Sequence, residues 1–178
     1  TDLNSLEQCG RLLVSVGEYA DAATNYLTVL AHHRAELSPD KAAQIYQKLG
    51  RIKGQQGEMR KALDFFRKAL DVDPENADTQ KALIELHSAR GDWNDVVHYQ
   101  RNLLDSLVEA DERFELLIGL ADTHNAHLGQ PRLAIECLEQ AREIDPESRI
   151  VLGKLMELHE QSEDWGALVQ VLQHLAEN

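Results

Sequence analysis

Apolar residues recur every three to four positions along most of the chain. Ile45, Tyr46, Leu49 and Ile52 fall on one face of a helix. Ala62, Leu63, Phe66, Ala69 and Leu70 fall on one face of the next. Gly57 separates the two runs, where a glycine past a helix end can adopt the left-handed conformation. Asp73 then fits a helix N-cap, with Pro74 at the first helical position, where the missing N–H costs nothing. Asp145-Pro146-Glu147 repeats that start signal; Ser38-Pro39 makes it with serine, and Asp111 makes it without proline. No segment alternates apolar and polar residues with the period of a strand.

The pattern is periodic on a longer scale. Asp73-Pro74-Glu75 and Asp145-Pro146-Glu147 stand 72 residues apart. The same shift aligns Ala62 with Ala134, Ala69 with Ala141, Glu85-Leu86-His87 with Glu157-Leu158-His159, and Asp92-Trp93 with Asp164-Trp165. A shorter period lies inside it: Gly57 to Gly91 and Gly129 to Glu163 are each 34 residues, Gly91 to Gly129 is 38, and Gly17 to Gly57 is 40. Five copies of a two-helix unit result, at about 2–36, 39–74, 75–108, 111–146 and 147–178. Repeats of this length read as stacked helix hairpins, each too small to bury its apolar face alone.

The chain resembles the tetratricopeptide repeat family. Leu49-Gly50, Gly57, Ala62, Phe66, Ala69 and Pro74 carry the likeness in the second copy. Gly10, Gly17, Tyr19, Ala22 and Tyr26 carry it in the first, and Ala121, Gly129, Ala134, Ala141 and Pro146 in the fourth. The third and fifth copies diverge, with Val96 and Leu168 where a small residue is usual. This alternation is similar to long bacterial arrays. The resemblance implies an all-α fold, a right-handed α-solenoid of about ten antiparallel helices forming a single domain over 1–178. It also implies a concave surface of first helices and a convex one of second helices.

Composition adds exclusions. With 18 Lys+Arg against 31 Asp+Glu, the formal net charge is -13, and nucleic acid is not an expected partner. No apolar stretch approaches the roughly 18 residues of a membrane span, so no insertion is expected. The chain starts Thr1-Asp2-Leu3 and stops inside the periodic run Leu168–Leu175, which reads as a segment of a longer protein. Cys9 and Cys137 give no disulfide framework. A reducing, cytoplasmic setting is expected, with the periplasm left open.

Charge is uneven. Residues 41–70 hold eight basic side chains and two acids, a local +6, whereas 71–178 carry a local -15 and the first 40 residues -4. The family's geometry would turn Gln44, Gln47, Lys48 and Arg51 into the groove, and Arg60, Lys61, Arg67 and Lys68 outward. Lys48 and Arg51, with Arg11 and Lys81, would then bind an acidic or C-terminal segment of a partner. The same residues also suit a solvated face that offsets local repulsion. Glu85, Thr123, His127, Lys154 and Glu157 complete the candidate groove. Some members of the family clamp a chaperone's C-terminal carboxylate. The corresponding positions here are Glu7, Arg11, Lys48, Asp78 and Ala82, or one copy later Gln47, Arg51, Ala82, Leu116 and Leu120, and neither set fits.

Chemistry beyond binding is not expected. His124 and His127 are three apart with Asp122 nearby, but no third ligand follows at a defined spacing, so no metal is expected. His87 and His159 suit packing against the next helix, and Trp93 and Trp165 suit staples closing a hairpin. No phosphate loop, nucleophile elbow or metalloprotease motif occurs, and no cofactor is implied. The expected function is a non-catalytic scaffold that binds a protein or peptide. The alternative is a self-assembling structural unit.

Overall fold

The computed structural model describes residues 3–177, and the outermost ends of the first and last repeats lie outside the described residues. Ten α-helices follow one another: α1 Leu3–Ser15, α2 Tyr19–His32, α3 Pro39–Gln55, α4 Met59–Val72 and α5 Ala77–Arg90. Then come α6 Trp93–Ser106, α7 Ala110–Asp122, α8 Pro131–Ile144, α9 Arg149–Gln161 and α10 Trp165–Glu177. No strand occurs among the described residues. The fold class is an all-α solenoid of helix pairs. The chain divides into two compact units, one ending at Leu86 and the other beginning at His87, within α5.

In the first unit, α1 packs on α2, α2 on α3 and α3 on α4. Ala22, Ala23, Tyr26, Val29, Ile45, Leu49 and Ile52 form its core. Tyr26 and Phe66 each lie on a glycine of the partner helix. A Cβ on Gly10 would stand 2.8 Å from the Tyr26 ring, and one on Gly50 would stand 2.7 Å from the Phe66 ring. Glycine therefore lets each aromatic ring rest directly on a helix backbone.

In the second unit, α7 packs on α8, α8 on α9 and α9 on α10. Its core is aliphatic: Leu117, Leu120, Ala134, Leu138, Ala141, Val151, Leu152, Leu155, Leu158 and Val171 are buried there. Each buried leucine contributes about 1.5–3 kcal/mol by leaving water.

The turns inside the pairs share one geometry. Gly17, Gly57, Gly91 and Gly129 have φ of 83°, 75°, 75° and 62°, and Glu163, the fifth, has φ 56°. In the second pair Glu58 N–H donates to the Lys53 carbonyl at 2.9 Å and Gly57 N–H to the Gly54 carbonyl at 2.9 Å. These bonds satisfy carbonyls that the helix end leaves open.

Three expected helix starts differ from the structure. Asp73 ends α4, and Asn76 begins α5, its Oδ1 accepting from Thr79 N–H at 2.9 Å. Asp145 accepts from Glu147 N–H in a tight turn, and Ser148 caps α9. Asp111 lies in the first turn of α7 behind Glu109, which makes no side-chain cap. In the two Asp-Pro-Glu triplets the proline therefore shapes the connection, and the helix starts three or four residues later. Ser38 does cap α3, accepting from Lys41 N–H at 3.4 Å, with Pro39 in the first turn.

A π turn follows α7 over Thr123–His127, where Leu128 N–H donates to the Thr123 carbonyl five residues back. Together they make the first helix of that pair longer than Ala77–Arg90, which accommodates part of the 38-residue spacing.

Candidate functional site

Arg11 on α1 and Lys48 and Arg51 on α3 converge in the first unit. They line a cleft of about 420 Å³ with Val14, Tyr19, Tyr26, Ile52 and Gln55. Helical spacing explains the pairing: Arg51 sits three residues beyond Lys48, on one face of α3. Lys48 Nζ lies 5.4 Å from the centre of the Tyr26 ring, within cation–π range. Burial, and then the neighbouring Arg11, hold the Lys48 amine below the ordinary lysine value, against an upward pull from Glu7. Burial raises the Tyr26 phenol, with Arg11 opposing and Glu7 adding to the rise. The cleft thus joins three cations to an aromatic and aliphatic floor, a surface that suits an acidic or carboxylate-bearing group.

The other expected groove positions scatter. Gln44 is exposed; Gln47 is half-buried, and its Nε2 has no hydrogen-bond partner. Lys81 and Glu85 are exposed on α5. In the second unit Lys154 donates to Asp122 Oδ1 at 2.5 Å, and Glu157 accepts from Gln161 Nε2 at 3.1 Å. Thr123 is buried, and its hydroxyl donates to the Gly119 carbonyl at 2.9 Å, so it offers no surface to a ligand. His127 is stacked on Trp93, with ring centres 3.5 Å apart and planes at 5°. Trp93 thus stacks with the π turn, while its Nε1 stands 3.8 Å from where a Cβ on Gly91, in the turn of its own pair, would lie. Trp165 is 58% exposed. No local spacing announces the Trp93–His127 stack, because the π turn that aims His127 has no simple sequence signal.

Three histidines, His87, His124 and His159, are buried. His87 stacks on Tyr99 of α6 at 5.6 Å between ring centres. His124 Nδ1 bonds Gln130 Oε1 at 2.8 Å. Cys9 and Cys137 are both free, and burial pushes the Cys137 thiol up, which disfavours its reactive form.

Comparison with known proteins agrees with the repeat. Two family models described as tetratricopeptide repeat match residues 2–75 and 114–148, together more than half of the chain. The chain belongs to the tetratricopeptide repeat family. No curated protein matches the sequence. Among solved structures, a tetratricopeptide repeat protein from Parabacteroides merdae ATCC 43184 aligns with a TM-score of 0.69 at 16% identity, over 98% of this chain. The chain spans 66% of that protein, just under two thirds of its length. MamA from Desulfovibrio magneticus RS-1 aligns with a TM-score of 0.63 at 13% identity, covering 98% of this chain and 92% of that one. PilF of Pseudomonas aeruginosa gives 0.58 at 16% identity, covering 98% and 75%. At these identities the likeness is one of fold. Tetratricopeptide repeats mediate protein–protein interaction or assembly and are typically non-catalytic. No helix among the described residues is long and apolar enough to cross a membrane.

Proposed function

We propose that the chain is a non-catalytic scaffold whose first unit binds an acidic segment of a partner protein across α1 and α3. Arg11, Lys48 and Arg51 supply the cations, Gln44 and Gln47 the amide contacts, and Tyr26, Val14 and Ile52 the apolar floor. Lys81 and Glu85 on α5 extend the contact, and Lys154 and Glu157 are polar contacts of the second unit. The observation that carries this reading is the convergence of three cations on one cleft, where no ion pair engages Arg11 or Arg51 among the described residues. The helices hold the backbone of these residues in place before binding, so ordering costs fall on the side chains alone. The net charge of -13 disfavours nucleic acid as that partner.

The test is a titration of a fluorescein-labelled, glutamate-rich peptide by anisotropy. The double variant Lys48→Glu, Arg51→Glu should weaken binding at least about tenfold, on the scale of one or two lost charged hydrogen bonds, with an unchanged circular dichroism spectrum. Full affinity in that variant removes the reading.

A second reading, self-assembly, is favoured by an exposed apolar row on α10: Trp165, Val169, Leu172 and Leu175. Light scattering at two concentrations separates them, since a concentration-independent monomer removes self-assembly.

A further inference from the structure

His87, Asp92 and Asp95 bring three ligand-type atoms within 4.8 Å of one another where α5 turns into α6. His87 Nδ1 lies 3.4 Å from Asp92 Oδ2 and 3.7 Å from Asp95 Oδ2. The His87 side chain is 3% exposed, and stacking on Tyr99 holds its ring. Asp95 is half exposed and leaves the cluster open to water on one side. Both separations exceed the roughly 2.7–3.2 Å of a good N–H···O bond. The shorter one equals the spacing of roughly 3.4 Å between two ligands at about 2.0–2.1 Å on one tetrahedral ion, and the longer is a few tenths of an ångström wider.

The preceding copy offers a contrast. Thirty-four residues earlier the same positions are Lys53, Glu58 and Lys61. There Lys53 Nζ meets Glu58 Oε1 at 2.9 Å, and Lys61 meets its other oxygen. One carboxylate is shared by two ammonium groups, so the turn carries its own positive charge. At His87 the composition is reversed: two carboxylates face one imidazole, which as a neutral ligand brings no charge. Arg90 Nε, 3.0 Å from Asp92 Oδ2, orients that carboxylate. Asp95 makes no ion pair with a lysine or arginine among the described residues. In the last copy the positions are His159, Asp164 and Ala167, and Asp164 Oδ1 accepts from Ala167 N–H at 3.1 Å instead. Only the third copy sets three ligands at one turn among these.

We propose that His87, Asp92 and Asp95 form a site for a divalent transition metal of the zinc type, with water as a further ligand. The ion binds Nδ1 of the neutral imidazole and one oxygen of each carboxylate, and any proton on Nδ1 leaves to solvent. It supplies the positive charge that Lys53 and Lys61 supply one copy earlier.

The full chain, stripped with a chelator, is titrated with zinc chloride by calorimetry and with cobalt chloride by visible absorption. One equivalent should bind with a micromolar dissociation constant, and cobalt should give the intense bands of a tetrahedral site. Asp95→Ala changes an exposed side chain to the residue found in the last copy. It should weaken zinc at least about tenfold with an unchanged helical spectrum. His87→Gln should do the same, and the imidazole resonances of His87 should shift on zinc addition. Absence of saturable uptake in the micromolar range overturns the site. So does uptake that Asp95→Ala leaves intact, which would assign the ion to other histidines.

Discussion

The two compact units solve the same repeat with different residues. In the first, Tyr26 rests on Gly10 and Phe66 on Gly50, so closeness comes from a missing side chain beneath a ring. In the second, leucines interlock with Ala134 and Ala141, and His87, His124 and His159 are buried. Charge separates them too. The basic stretch 41–70 belongs to the first unit, whereas 71–178 carries -15, of which -11 lies in the second. A helix pair thus needs only a close approach and a left-handed turn, and its remaining surface is free to diverge.

The largest effect that tests this contrast is expected in the aliphatic core. Leu155 is fully buried, and Leu155→Ala should cost about 2–5 kcal/mol in denaturant unfolding. A loss under 1 kcal/mol would mean that the second unit collapses around the hole as no tightly packed core does. Next comes the glycine seam. Gly50→Ala should cost about 1–3 kcal/mol because the new methyl would meet a buried ring. Gly153 on α9 faces open space, so Gly153→Ala should stabilise by about 0.5–1 kcal/mol. Equal responses at the two glycines would erase the distinction between the units.

The turns are expected to respond more gently. Gly57→Ala should cost about 1 kcal/mol at its φ of 75°, and Glu163→Gly should return a similar amount by relieving a side chain at φ 56°. Melting temperatures of the two variants should move in opposite directions.

The smallest effect is a pH dependence in the first unit. The Lys48 amine is held below the ordinary lysine value by burial and by Arg11. It therefore loses its charge at lower pH than an exposed lysine, and affinity for a glutamate-rich peptide should begin to fall there. Lys48→Gln should remove that early decline. Folding responds with the opposite sign. The folded chain binds fewer protons than the unfolded one above the lowered value, so the cost of burying the charged amine fades as pH rises through it.

Much of the fold was legible because it is local. A period of three to four residues, a glycine at four of the five turns and a 34-residue repeat reflect helix geometry and the left-handed turn, which are written in neighbouring residues. The basic stretch and the pairing of Lys48 with Arg51 on one helix face were legible for the same reason. The helix starts were less so. Aspartate before proline resembles a cap, and only the connection's path shows that Asn76 and Ser148 do the capping.

The sequence by itself thus determined that this is an all-α repeat of helix pairs, where its turns fall, and which stretch is basic. Tertiary packing decided that Arg11 joins Lys48 and Arg51 over Tyr26, and that Thr123 faces inward. It also decided that His127 stacks on Trp93, and how close His87 comes to Asp92 and Asp95. Periodicity names the face of a helix, but which faces meet, and how closely, depends on the volumes of residues far apart in the chain.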